Sequence, residues 1–569
     1  MSTRADASVS ARPWAPVAGV LVVVIGYLLV RDIGAPAFDD AYFFKRFGLN
    51  ALEHGMFAWN VEDGPVYGCT SQAFQLVATV CAALWATHYV VAIKVVSALG
   101  LWAAGVVLAR WCVRALGEDG DRAYRGAMIV LFGLGCPLVL TTVLTGMETA
   151  ATLLALALVL TAMFSPRPSS GEGPRLGPVP AAALTVVVYL FRPDVALVPA
   201  VGYGLDALLS RRELPWRYVA ALAAMMLVLL GGLWAYYGTA LPLSFYMKTA
   251  GLQPYGEHVF RVGLSAKAQY FAVMLVFAAP LSWIAGHRRD AGTWALLGAT
   301  VALWGYHLLF TNEIMGYRAR FYVPGVVPLI MAAARADLRF RETRAARGHR
   351  STLIALAVMA PAIVVGYWQK LLPTETSEPL AVVPWPSYVG LGLGAAWLLL
   401  PPARPRPRLE TGVLAAIVVA ATLGWKPPAM PRLRSDAQLM RAHANTVTTV
   451  RGLFDVAHCL PDAQTVYHSE MGVTGLVLLR TRVVDLVGIV SDLRGESFEQ
   501  YCSRDRPDAI FLPHKSYEDL NAEIQRSECL RSYRRMVKRS SSPLHVREDL
   551  AEGFLRCATE VHRWGVPAP

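Results

Sequence analysis

Pro16-Val17-Ala18-Gly19-Val20-Leu21-Val22-Val23-Val24-Ile25-Gly26-Tyr27-Leu28-Leu29-Val30 is uncharged from end to end, with Arg4 and Arg12 before it and Arg31 after it. Such a run suits the hydrocarbon core of a bilayer, which a helix crosses in roughly 20 residues. Similar blocks recur along most of the 569-residue chain, which is 55% hydrophobic, 17% charged and has a mean hydropathy of +0.41. A soluble chain is about 45–50% apolar and about 25% charged. Ala35-Pro36-Ala37 has the small-x-small form of a signal-peptide cleavage site, but later spans need the first one retained, so it is read as a span. The net charge of +12 would suggest nucleic acid in a soluble protein. Here the arginines sit in short loops between apolar blocks, where they set orientation, and no nucleic-acid partner is expected.

Walking the blocks with the positive-inside rule gives one consistent assignment. A polar loop, 31–70, follows the first span. The stretch from Ser71 to Arg110 crosses once, over His88–Leu108, with Gln72–Thr87 at or re-entering the outer surface and Lys94 snorkelling outward. Further span cores are 126–144, 149–164, 179–191, 195–209, 218–236, 266–285, 292–310, 321–334, 352–367, 387–400 and 411–424. The pair 179–191 and 195–209 is short enough to be one broken hairpin. The arginine clusters at Arg110–Arg125, Arg167–Arg175, Arg211–Arg217, Arg288–Arg289, Arg335–Arg350 and Arg404–Arg408 all fall inside. The total is about thirteen spans, with the N-terminus cytoplasmic.

Pro427-Pro428 marks a change to polar sequence, dividing a membrane domain, 1–425, from a C-terminal domain, 426–569. Thr465–Tyr467, Val483–Val487 and Ala509–Leu512 read as short buried strands between helical stretches, hence an α/β domain. Odd crossing parity places it outside the cytoplasm. Cys459, Cys502, Cys529 and Cys557 all lie there and suggest two disulfides, with three pairings open. Cys69, Cys81, Cys112 and Cys136, in or near membrane blocks, read as small hydrophobes. The fold class is therefore a polytopic α-helical membrane protein with a C-terminal extracytoplasmic α/β domain.

The residues that carry chemistry collect in the outer loops. Phe38-Asp39-Asp40-Ala41-Tyr42-Phe43-Phe44-Lys45-Arg46-Phe47 places two acids just beyond the first span, followed by an apolar, basic stretch suited to the membrane surface. Asp40 as a helix N-cap would account for one acid and leave Asp39 unexplained. A carboxylate at this interface can take a proton from a hydroxyl or hold a divalent cation such as Mg, Mn or Ca beside a phosphate. Glu148, in Gly146-Met147-Glu148-Thr149, is either a third acid facing the bundle or a helix-dipole partner. Arg192 and Asp194, around Pro193, form an ion pair or line a polar cavity. Lys248 follows Tyr246 in an aromatic, Pro-bent loop, and Tyr317-Arg318-Ala319-Arg320 puts two arginines at the outer end of a span. These bases are lipid anchors or phosphate ligands. Tyr67, Thr70 and Ser71 close the first loop. Acids, bases and aromatics on one face fit an enzyme handling an anionic, lipid-attached substrate. No glycine-rich phosphate loop, metalloprotease motif or nucleophile elbow is present.

In order, Asp39-Asp40-Ala41-Tyr42, Gly146-Met147-Glu148-Thr149, Arg192-Pro193-Asp194, Tyr236-Tyr237-Gly238 with Phe245-Tyr246-Met247-Lys248-Thr249, and Tyr317-Arg318 resemble the GT-C superfamily of polyprenyl-phosphate-sugar glycosyltransferases. The nearer likeness is to terminal arabinofuranosyltransferases of the mycobacterial type. The sequence departs from that pattern at Tyr67-Gly68-Cys69-Thr70-Ser71, and Pro324 lies further from Tyr317-Arg318 than in the family. The resemblance implies an inverting transfer of one sugar, D-arabinofuranose by analogy, to an envelope glycan or protein at a bacterial cytoplasmic membrane. It implies Asp39 or Asp40 as base with Glu148 beside them, and Lys248, Arg318, Arg320 and Arg192 on the donor phosphate. Tyr42, Tyr67, Thr70, Asp194, Tyr246 and Tyr317 would contact substrate, and Asp39 with Asp40 would hold any divalent cation. The alternatives are a transporter or flippase of lipid-linked sugars, and a non-catalytic envelope assembly protein. A transporter favours inverted repeats and mid-membrane charges, which this sequence lacks.

Overall fold

The structure is a computed structural model that describes residues 14–116, 120–164, 176–211, 214–248, 264–311, 320–347, 393, 395–399, 407–423, 434–444, 447–493, 496–513, 517–536 and 542–564. The membrane portion is helical: α1 (Ala15–Asp32), α2 (Asp39–His54), α3 (Gln72–Leu84), α4 (Tyr89–Leu116), α5 (Gly120–Leu134), α6 (Pro137–Leu140), α7 (Thr142–Thr145), α8 (Thr149–Met163), α9 (Pro178–Phe191), α10 (Leu197–Arg211), α11 (Trp216–Tyr237), α12 (Leu243–Lys248), α13 (Leu264–Ala285), α14 (Ala291–Phe310) and α15 (Val326–Arg347). Among the described residues, four helices are long and apolar enough to cross a bilayer: Ala15–Asp32, Ala86–Ala115, Trp216–Tyr237 and Ala291–Phe310. On α11, Leu227 and Val228 are 75% and 77% exposed. An apolar helix this bare calls for an apolar surround such as the lipid of a bilayer.

The block 126–144 is not one straight span. It bends by 67° between α5 and the short helices that follow. Gly135 and Pro137 sit at the break, where proline removes a backbone donor and disfavours helix in the residue before it. The cores 149–164, 179–191 and 195–209 are separate helices of 14 or 15 residues. The core 352–367 lies outside the described residues. Arg125, read above as cytoplasmic, is buried and pairs with Asp337 at 2.8 Å.

Lys94 does not snorkel. It is fully buried, and its Nζ donates to the carbonyls of Asp32 and Ala35, both at 2.8 Å. A helix end leaves carbonyls without partners, and Lys94 of α4 supplies donors just past the end of α1.

The C-terminal domain holds a five-stranded sheet in the order β2-β1-β3-β5-β4. Strands β1 (Thr465–His468), β2 (Arg482–Asp485) and β3 (Ala509–Phe511) are parallel, and β4 (Tyr533–Arg535) and β5 (Leu544–Arg547) are antiparallel additions. The three strands expected from sequence are present. The last two escaped notice because their short, Arg-rich segments lack a clear apolar run.

Alternation on the parallel strands gives the sheet two apolar faces. Tyr467, Val484 and Ile510 pack on Phe498 and Tyr501 within the domain. Val466, Val483, Ala509 and Phe511 belong to the same core as α2, Trp59 and Phe74. The C-terminal domain therefore shares its core with the first loop. That explains why α2 buries Tyr42 through Gly48 without a break. It is packed between α3 and the helix Met471–Val477, not spread on a membrane surface.

The domain's four cysteines form two disulfides, Cys459–Cys557 and Cys502–Cys529, and the other four are buried thiols. The first closes a loop with a sequence separation of 98. Its replacement by serines should lower stability by about 2–5 kcal/mol, read as a fall in Tm. An unchanged Tm would mean that α2 and the sheet core hold the domain by themselves.

Candidate active site

Asp39 and Asp40 occupy the first turn of α2, whose N-cap is Phe38 and carries no side-chain cap. Neither acid caps its own helix. The carboxylate of Asp39 instead accepts the backbone N–H groups of Gly472 and Val473, both at 2.8 Å. It caps the helix Met471–Val477 that follows β1, and it is committed to docking the C-terminal domain. Position 472 must be glycine for this approach, because a Cβ there would collide with the Asp39 backbone carbonyl.

Asp40 points elsewhere. Its side chain is 37% exposed and lies 3.5 Å from Nη2 of Arg320. Phe321 follows, with the guanidinium of Arg320 5.1 Å from its ring centroid and that of Arg192 5.3 Å from it. Arg192 is buried and extended, as the residue before Pro193 should be. Its Nη2 donates to Asp194 at 2.6 Å, and its Nε lies 3.9 Å from Glu148. His307 of α14 closes the series with Nε2 3.0 Å from Asp194. Asp40, Arg320, Arg192, Glu148, Asp194 and His307 thus form one continuous charged cluster around Phe321.

Local backbone explains how Glu148 reaches it. Gly146 adopts φ +71°, and a Cβ there would press on Ala41 and Ala37 at 3.1 and 3.3 Å. The α7–α8 junction therefore lies directly on the start of α2, fixed also by Phe38 N–H to Thr145 O at 3.0 Å. Cys69 senses both sides: burial pushes its thiol up, and the nearby Asp40 and Glu148 push it further.

Several buried polar atoms here have no hydrogen-bond partner among the described residues: Glu148 Oε2, Arg192 Nη1, Arg320 Nε, Tyr67 Oη, Ser71 Oγ and Ser244 Oγ. Folded interiors tolerate few such groups. They lie on elements that meet, with Leu243 N–H bound to Tyr67 O at 2.8 Å. Tyr67 also stacks on Tyr237 at 4.9 Å.

The remaining expected site residues divide. Thr70 is exposed at the loop's end. Tyr246 packs edge-to-face on Phe245. Tyr42 is 1% exposed, and its hydroxyl accepts the Ala37 N–H at 3.0 Å. Both oxygens of Asp39 accept backbone donors while Asp40 faces Arg320, so the two carboxylates have different partners. Tyr317, Arg318 and the side chain of Lys248 lie outside the described residues. Sequence reasoning missed His307 and Phe321. A histidine in an apolar span was itself a signal.

This is a multi-pass helical membrane fold with a charged cluster beside the junction of its first loop and a C-terminal α/β domain. The crystal structure of ArnT from Cupriavidus metallidurans bound to undecaprenyl phosphate has the same fold, with a TM-score of 0.57 over 95% of this chain and 99% of that chain at 12% identity. No family model and no curated protein matches the sequence.

Proposed function

We propose that the chain is an inverting glycosyltransferase that moves one sugar from a polyprenyl-phosphate donor to a hydroxyl of an envelope glycan or protein. The observation that carries this reading is the exposed carboxylate of Asp40 beside Arg320, at the edge of buried polar groups without partners. The same fold in a protein crystallised with undecaprenyl phosphate supports a lipid-phosphate donor.

Asp40 takes the proton of the acceptor hydroxyl as its oxygen attacks the anomeric carbon. The bond from that carbon to the phosphate oxygen breaks, and polyprenyl phosphate leaves with the bonding pair. Arg320 and Arg192, joined by Lys248 and Arg318, neutralise the leaving phosphate. Glu148 and Asp194 orient the guanidinium of Arg192, and Tyr237, backed by the buried ring of Tyr67, gives the sugar a stacking surface. The C-terminal domain presents the acceptor, on the outer side of a bacterial cytoplasmic membrane, where its disulfides are stable. D-arabinofuranose is the donor sugar to try first.

The test is sugar transfer by purified full-length protein from a panel of synthetic polyprenyl-phosphate sugars, with products identified by mass. Transfer with inverted anomeric configuration is the expected result. No transfer from any donor, alongside movement of the intact lipid between leaflets in vesicles, would replace the enzyme with a flippase. With an active donor found, Glu148→Gln should lower transfer by about 10–100-fold, since Arg192 loses a charged neighbour. A rate within twofold of wild type would remove Glu148 from the site.

A further inference from the structure

His307 is the member of the cluster that the proposed mechanism leaves without a task. It is 1% exposed, midway between the ring of Phe321 (5.3 Å) and that of Tyr322 (5.8 Å). Its one hydrogen bond places Nε2 3.0 Å from Oδ2 of Asp194, while Nδ1 is buried with no partner among the described residues. A carboxylate only accepts, so Nε2 carries the proton.

Asp194 Oδ2 therefore receives two donors, Nη2 of Arg192 and Nε2 of His307, and Oδ1 receives Nε of Arg192 at 3.2 Å. The fork from Arg192 lies within a three-residue turn at Pro193, so Arg192 and Asp194 could rotate together while keeping their bond. The bond from His307 is the one that reaches Asp194 from another helix. It holds the pair against α14 and fixes where the unpartnered Nη1 of Arg192 points. The other charged groups facing this pair are Glu148, 3.9 Å from Arg192, and Arg320 across the Phe321 ring. Neither of them bonds to Asp194.

We propose that His307 is a positioning residue that, through Asp194, locks the guanidinium of Arg192 with Nη1 aimed at the donor's phosphate. This rests on the transferase reading for the identity of the ligand. The mechanical claim concerns only the affinity of the site for a lipid-linked phosphate.

The test uses full-length protein in detergent and two variants. His307→Phe keeps the ring and removes the donor, and His307→Gln keeps a donor nitrogen near Nε2. Two quantities are read: equilibrium binding of undecaprenyl phosphate, and KM values for donor and acceptor. In His307→Phe, binding should weaken about tenfold, the scale of one charge-assisted hydrogen bond, and donor KM should rise by the same factor. Acceptor KM should stay within twofold, and His307→Gln should recover most of the loss. Undiminished binding in a folded His307→Phe would overturn the proposal. So would equal loss in both variants with both KM values rising together, because that pattern belongs to disturbed packing. If the native chain transfers no sugar yet His307→Phe alone weakens phosphate binding, the transferase reading falls and the positioning role stands.

Discussion

Asp40→Asn should reduce sugar transfer by about 10²–10⁴-fold, the usual range for removing a general base, without unfolding the protein. Asparagine matches the carboxylate in shape but cannot take the acceptor's proton, and the exposed side chain carries no packing load. Asp39→Asn should behave differently. It keeps one acceptor oxygen for the two N–H groups of Gly472 and Val473, so one buried donor is left unpaired at about 1–3 kcal/mol. That loss loosens the C-terminal domain and lowers Tm, with a smaller fall in rate. Paired measurements of kcat and Tm separate the two acids. A collapse of activity in Asp39→Asn at unchanged Tm, with Asp40→Asn near wild type, would reverse the assignment.

Arg46→Met should undock the C-terminal domain. Arg46 is 3% exposed and donates to five oxygens: the carbonyls of Trp59, Gly475, Leu478 and Thr481, and Oδ1 of Asn60. Burial lowers its pKa to about 10, so it remains charged at neutral pH. Methionine fills similar space and leaves those acceptors bare. The expected cost is on the order of 3–5 kcal/mol, since several buried acceptors lose their donor at about 1–3 kcal/mol each. Arg46→Lys should rescue little, because one ammonium cannot span acceptors that a planar fork reaches on several sides. Limited proteolysis reads the outcome directly: the first loop becomes cleavable while both disulfides stay closed. Resistance equal to wild type would show that the apolar core alone, through Phe43, Phe47 and Trp59, holds the domain in place.

The division between what the sequence disclosed and what it hid follows contact distance. Apolar blocks, the polar C-terminal quarter and its four cysteines are local signals, and they pointed to membrane helices, a separate sheet and two disulfides whose pairing the spacing left open. The order of acids and bases identified the cluster, since every member except His307 and Phe321 stood out by charge. Telling Asp39 from Asp40 was out of reach, because the partner that claims Asp39 lies 433 residues away. The same holds for Lys45, whose ion pair at 2.7 Å is with Asp436. Two buried cations in an apolar segment looked like a surface helix because nothing nearby could neutralise them. The broken span at 126–144 is a different case. Gly135 and Pro137 were legible breakers, and hydropathy alone outweighed them.

The pairing of Lys45 with Asp436, 391 positions later, has a consequence for how the chain is made. At about 5–20 residues per second, the ribosome needs roughly 20–80 s to supply the acid after the base has emerged. Lys94 finds its carbonyls only 62 positions back, so the first helices can settle early. During the long interval Lys45 lacks its acid and Arg46 lacks the carbonyls of Gly475, Leu478 and Thr481, while Ala86, Trp59 and Asn60 are already made. A nascent or truncated polypeptide that stops short of Asp436 leaves bare the side of that helix that packs on Met471–Val477, with only α3 in place.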